Sequence, residues 1–248
     1  MIQLEKINQH DAAALRMEYL RQLPEFQELY LELMAEEAAC FKLTEHGEFV
    51  GYVLRTEQGI LVEFYLRDAF VPLCSDVFKQ VLAELQIQSV YCKSFDALLL
   101  NCCLLEGMAY EPIGALFRTL VEAPGFPIEG TSTRWALPSD SAFLLQQEGE
   151  LYETPQELER FVNGRNILMF EQAGALVGCG YLIRVHPNFD FYDIGMWVNP
   201  LFRKQGWATR IISHLKELCL QNHWTPICGC AIDNVASQKT LERNGFVS

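Results

Sequence analysis

A mixed α/β fold built as two tandem lobes is predicted by three features of the sequence. Segments with a two-residue apolar period alternate with segments whose apolar residues recur every three or four positions. Paired landmarks keep their distances: Gly51 to Pro72 is 21 residues and Gly178 to Pro200 is 22, while Asp96 to Gly107 and Asn234 to Gly245 are both 11. A stretch from Glu122 to Asp140, rich in Pro and Gly, has no sustained periodicity and separates the two sets. The lobes are therefore expected at 1–121 and 141–248, with a linker at 122–140. Chance agreement between any two α/β halves is the alternative reading of the repeat.

Bulk properties fit this division. A chain of 248 residues is long for one small α/β domain and comfortable for two. Half the residues are hydrophobic and 12% aromatic, which excludes disorder. The net charge of −13 argues against a nucleic-acid partner, since phosphate neutralisation needs a basic face, and tilts the partner toward a cationic or amine substrate. Nine cysteines without a secretory signal suit a reducing compartment, so a cytoplasmic location is expected. Cys102-Cys103 and Cys228-x-Cys230 lack zinc-site spacing and read as small apolar fillers, so no metal is expected. No run of eighteen apolar residues occurs, and no membrane span is expected.

In the first half, residues 2 to 38 read as helical with a break at Pro24, carrying Leu15, Tyr19 and Leu20 and then Leu29, Leu33 and Met34. Cys40 to Thr44 and Phe49 to Arg55 form a hairpin closed by Glu45 to Glu48. The strand Ile60 to Leu66 leads through Pro72 to a helix marked by Val77, Phe78, Val81, Leu82 and Leu85. A short strand, Ser89 to Cys92, and a helix, Asp96 to Glu106, follow, and Gly107 ends that helix.

The second half repeats this order. A helix, Pro155 to Val162, precedes the strands Asn166 to Glu171 and Ala175 to Arg184, turned at Ala173-Gly174. The strand Phe189 to Val198 ends at Pro200, and a helix from Ala208 carries Ile211, Ile212, Leu215, Leu218 and Cys219 on one stripe. The strand Ile227 to Ala231 and the helix Asn234 to Asn244 complete the copy.

Between strand and long helix lies Arg203-Lys204-Gln205-Gly206-Trp207-Ala208. Such a loop leaves the first helical N–H groups pointing outward at the positive end of the macrodipole, where an anion fits. The other reading is an ordinary turn that uses Gly206 for a left-handed residue. The first half offers only Leu73-Cys74-Ser75-Asp76 here, with no Gly and no cation, so that copy is expected to be degenerate.

Val198-x-Pro200, Arg203-x-x-Gly206-x-Ala208, Asn234-x-x-Ser237 and Gly245-Phe246 stand in order over some fifty residues. Together they resemble the signature of the GNAT superfamily of acyl-CoA-dependent N-acetyltransferases. Asp193-Ile194-Gly195 and the spacing from Trp224 resemble more closely the branch typified by the zwittermicin acetyltransferase. The resemblance implies tandem GNAT-like lobes with acetyl-CoA bound to the second. It implies main-chain contacts from Met196, Trp197 and Val198 to the pantetheine arm, and a pyrophosphate cradle from Arg203, Lys204, Gln205, Gly206, Trp207, Ala208 and Thr209. Asn234 and Ser237 would flank the arm, although Asn234 also suits a helix N-cap.

The implied reaction is acetyl transfer to a primary amine of a small molecule or peptide. Asp193 stands where many relatives carry the group that takes the amine proton, and Tyr192 is a second catalytic candidate. The family's usual tyrosine on the last helix falls at Leu241, so no phenol can protonate the leaving thiolate from there. That departure motivates the alternative function, a non-catalytic acyl-CoA sensor or scaffold. The resemblance also leaves a homodimer open. Two further strands usually follow Gly-Phe in the family; here Ile113 to Val121 are expected to cover the sheet edge instead.

Overall fold

The computed structural model describes residues 2–146, 152 and 154–248. They form two compact units, Met1–Glu111 and Pro112–Ser248.

Unit 1 begins with strand β1 (Gln3–Ile7), then helices α1 (Gln9–Gln22) and α2 (Leu29–Glu37) and the hairpin β2 (Ala39–Glu45) and β3 (Glu48–Arg55). Strand β4 (Ile60–Leu66) leads through a 3₁₀ turn, Asp68–Leu73, into α3 (Cys74–Glu84), β5 (Ser89–Val90) and α4 (Ala97–Leu105). The sheet order is β1-β2-β3-β4-β5. All neighbours are antiparallel except β4 and β5, which α3 joins as a parallel crossover. The expectation of helix from residue 2 fails for β1. Ile2 and Leu4 alternate onto the core beside Leu43, Val53 and Phe64, and this pairing with β2 outweighs the local helical pattern.

Unit 2 contains β6 (Gly114–Phe117), β7 (Thr119–Leu120), β8 (Thr131–Trp135), α5 (Ser141–Leu144), α6 (Pro155–Asn163), β9 (Ile167–Gln172), β10 (Ala175–Arg184) and β11 (Phe191–Val198). A 3₁₀ turn at Pro200–Phe202, α7 (Trp207–Gln221), β12 (Thr225–Ala231), α8 (Val235–Arg243) and β13 (Phe246–Val247) complete it. Its main sheet runs β6-β12-β11-β10-β9-β8, and β13 pairs separately with β7. The stretch expected as a linker thus carries β8, whose Arg134 binds Asp140 and Glu171 and ties the strand down. The strands expected within Ile113 to Val121 do cover the free edge of β12 and receive β13, and they belong to the second compact unit.

The core of unit 2 lies under α7, where Trp207, Ile211, Ile212 and Leu215 pack on Phe170, Val177 and Ile194. His214 joins this face edge-on to Phe170. Gly245 adopts φ 87°, and a Cβ there would run into the Val121 carbonyl, so the Gly245-Phe246 pair is a structural demand of this packing. Among the described residues, no helix is long and apolar enough to cross a membrane.

Candidate functional site

The site of unit 2 arises where two parallel strands part. β11 and β12 pair through Phe191–Thr225, Tyr192–Pro226 and Asp193–Ile227, and among the described residues the pairing stops there. Beyond it β11 leads into the 3₁₀ turn Pro200–Phe202 and α7, while β12 is held on its other side by β6 and by Arg118, whose Nη1 donates to the Cys228 carbonyl at 2.8 Å. The gap is a cleft of about 640 Å³ lined by Tyr181, Met196, Gly229, Cys230, Asn234 and Leu241, with Ile194, Gly195, Ala231, Asp233 and Ser237 completing the wall.

Alternate residues of a strand offer their N–H and C=O groups to opposite edges. The Asn199 N–H donates to the Val177 carbonyl of β10, so the main-chain groups of Met196 and Val198 face the open edge and those of Trp197 face β10. This corrects the expectation for Trp197: its carbonyl abuts Gly178, and its indole is buried. Val198 contributes less than expected as well, because the Arg203 Nε already donates to its carbonyl at 3.1 Å.

The loop after β11 is exposed from Arg203 through Gly206. Lys204 and Gly206 both have positive φ, 62° and 82°, and Gly206 serves as the N-cap of α7 with no side-chain cap. The Gln205 amide folds back on the Leu201 carbonyl, and Arg210 lies over the buried Trp207 ring. Among the described residues no group accepts a hydrogen bond from the N–H groups of 204 through 209. Nothing stands within 4 Å of the space a Cβ on Gly206 would take. Six amides without acceptors therefore stand in sequence at the positive end of a four-turn helix, beside Arg203 and Lys204. Trp207 and Thr209 are buried, so only their amides can serve.

On the far wall, Asn234 Oδ1 accepts from the Ser237 N–H at 3.0 Å, which is the N-cap of α8. Both residues also line the cleft. Burial raises the Cys230 thiol, and a hydrogen bond with Ser237 pulls it partly back.

Neither catalytic candidate lines the cleft; both sit at its root. The Tyr192 ring stacks on Trp224 at 4.1 Å, and burial raises its phenol. Asp193 is the last paired residue, and its charge reaches the Cys228 thiol together with that of Arg118. Leu241, at the position of the missing tyrosine, is buried and closes the cleft wall. Sequence reasoning missed Tyr181, Cys230 and Asp233. The register Tyr181–Gly195 was the one available signal, because it sets a large ring against a residue with no side chain.

Comparison with known proteins agrees with this geometry. The sequence profile of the acetyltransferase (GNAT) domain matches residues 8–119, and that of the acetyltransferase (GNAT) family matches residues 133–246. An acetyltransferase of the GNAT family from Colwellia psychrerythraea superposes with a TM-score of 0.86 at 18% identity, over 99% of this chain and 96% of that one. A tandem GNAT protein from the clavulanic acid biosynthesis pathway gives a TM-score of 0.66 at 12% identity over 99% and 95%. A GCN5-related N-acetyltransferase from Sphaerobacter thermophilus gives 0.63 at 16% over 99% and 92%. No curated protein matches the sequence. With a profile of this kind on each half and the same fold in its neighbours, the chain belongs to the GNAT superfamily of acetyltransferases and carries two GNAT domains in tandem.

Proposed function

We propose that unit 2 is an acetyl-CoA-dependent N-acetyltransferase acting on a primary amine of a small molecule or peptide, in the cytoplasm. The observation that carries this is the row of amides from Lys204 to Thr209, without acceptors among the described residues, on the loop between β11 and α7. A diphosphate would satisfy those donors, with Arg203 and Lys204 adding charge. The nine free cysteines fit a reducing compartment.

Bound acetyl-CoA supplies an activated acetyl thioester. The amides of Lys204 to Thr209 would hold its diphosphate end, and the open edge of β11 at Met196 would offer hydrogen bonds to the arm. Asn234 and Ser237 narrow the far side. Asp193 is the candidate base, taking the amine proton through water, because an ammonium of pKa about 10.4 loses its proton to an isolated carboxylate with difficulty. Tyr192 packs at the cleft root, stacked on Trp224.

Calorimetry with CoA tests the cradle. Gly206→Glu places a like charge among the amides at a left-handed position and is expected to weaken CoA binding at least about hundredfold, or about 2.7 kcal/mol. Unchanged affinity overturns the site. Leu241 in the cleft wall favours one rival, a non-catalytic acyl-CoA sensor. Thiol release from acetyl-CoA with a panel of amines separates the two, since a sensor binds without turnover.

A further inference from the structure

Tyr181 stands on β10 across from Gly195, and its ring Cδ2 and its Cβ lie 3.6 and 3.9 Å from the point where a Gly195 Cβ would be. From there the ring runs toward Cys179, two residues back on the same face of β10. Its hydroxyl reaches the Cys179 thiol, which donates to it at 3.7 Å, and Cys179 is the register partner of Trp197. Both register partners of this Tyr181–Cys179 pair, Gly195 and Trp197, belong to the stretch of β11 beyond its last pairing with β12. Tyr181 is only 8% exposed and lines the cleft. Among the described residues its one hydrogen-bond partner is the Cys179 sulfur at 3.7 Å, a weak donor and a weak acceptor, so the hydroxyl has no oxygen or nitrogen to take its proton. A buried O–H without an acceptor is costly, and a ligand oxygen would relieve that cost. Burial, with the nearby Cys179 adding to it, pushes the phenol well above its ordinary range, so the proton stays on oxygen at neutral pH.

We propose that the Tyr181 hydroxyl donates a hydrogen bond to the carbonyl oxygen of a thioester lying along Gly195 and Met196, and so polarises it for attack. The proposal rests on the acetyl-CoA reading of the cleft. It gives the site a side-chain donor at the reacting centre that replaces nothing on α8, where Leu241 has no proton to give. The weak contact with Cys179 holds the phenol in place and leaves its proton free to turn to a stronger acceptor. A donor fixed in a cleft shielded from water costs little reorganisation and strengthens as negative charge grows on the oxygen.

The carbonyl stretch of acetyl-CoA labelled with carbon-13 at the thioester carbonyl reads this bond directly, without any acceptor amine. Bound to the unaltered protein, the band should fall below its position in water. Bound to Tyr181→Phe it should move back up, while calorimetry shows that CoA still binds the variant. Equal band positions in the two proteins overturn the proposal and leave the cofactor site standing. Failure of the unaltered protein to bind CoA overturns both. If Tyr181→Phe does not fold, 3-fluorotyrosine at position 181, a stronger donor, must push the band lower still, and an unmoved band overturns the proposal.

Discussion

The two units part their parallel strands at the same place and fill the gap in opposite ways. In unit 1 the last parallel pair is Leu61–Val90, and in unit 2 it is Asp193–Ile227. Two residues further along the first strand stand Glu63 and Gly195; three residues further along the second stand Lys93 and Cys230. Unit 2 thus lines its gap with small or neutral groups and leaves a cleft. Unit 1 fills the gap with charge. Glu63 is wholly buried and accepts from Arg16 at 2.6 Å and from the Tyr52 hydroxyl at 2.7 Å. Arg16 also grips Glu32, and Lys93 donates to Gln27, which bonds both carboxylates. Asp96, the counterpart of Asn234 as a helix N-cap, accepts from the buried Tyr19 hydroxyl. The turns differ to match. Before α3 the Phe70 and Cys74 amides are already bonded to Arg67 and Val71, and no residue from Asp68 to Leu73 is left-handed. Within one fold, then, one unit closes its turn and plugs the gap that the other unit leaves open.

Breaking the plug should have the largest effect. Glu63→Ala leaves Arg16 buried beside a single carboxylate and is expected to cost about 3 to 5 kcal/mol in chemical denaturation. Burial alone would raise the Glu63 pKa, and Arg16 outweighs it, so the folded value lies below the unfolded one. The stabilisation is then complete above the unfolded carboxylate range and is lost as pH falls through the depressed folded value. Unfolding midpoints measured from neutral to acid pH should drop less steeply in the variant.

Moving the plug sharpens the comparison. Gly195→Glu sets the unit 1 residue into the open cleft without its arginine. The Cβ itself meets only Tyr181, at an ordinary contact distance, so the chain should fold while CoA affinity in calorimetry drops about tenfold or more. An unaltered affinity would mean that the cleft does not hold the arm. The smallest effect belongs to the exposed cation Lys204. Lys204→Ala should weaken CoA about threefold at low salt and less as salt rises.

What the sequence disclosed, and what it hid, follows from range. The hairpins, the Asn234 cap and the left-handed Gly206 are local, set by residues within a few positions of one another, and each stands where the pattern places it. The repeat landmarks mark corresponding points of the two units. The plug was illegible because Arg16, Glu32, Glu63 and Lys93 are scattered over the first unit, and lone charges read as solvated faces until the fold gathers them. Tyr181 was hidden for a similar reason, since a tyrosine on a central strand reads as core and only the register with Gly195 turns it toward the cleft. The strand at Gln3–Ile7 was misread because its partner begins more than thirty residues later.

The outer strand β6 is made long before the strand it needs. Arg118 and the Cys228 carbonyl that it holds are 110 residues apart. During synthesis, the segment that seals the acetyltransferase sheet leaves the ribosome first and waits for almost the whole of its unit to follow. Closure of that sheet is a late event of high contact order, and a fragment begun at residue 122 would emerge with a raw β12 edge and no means of covering it.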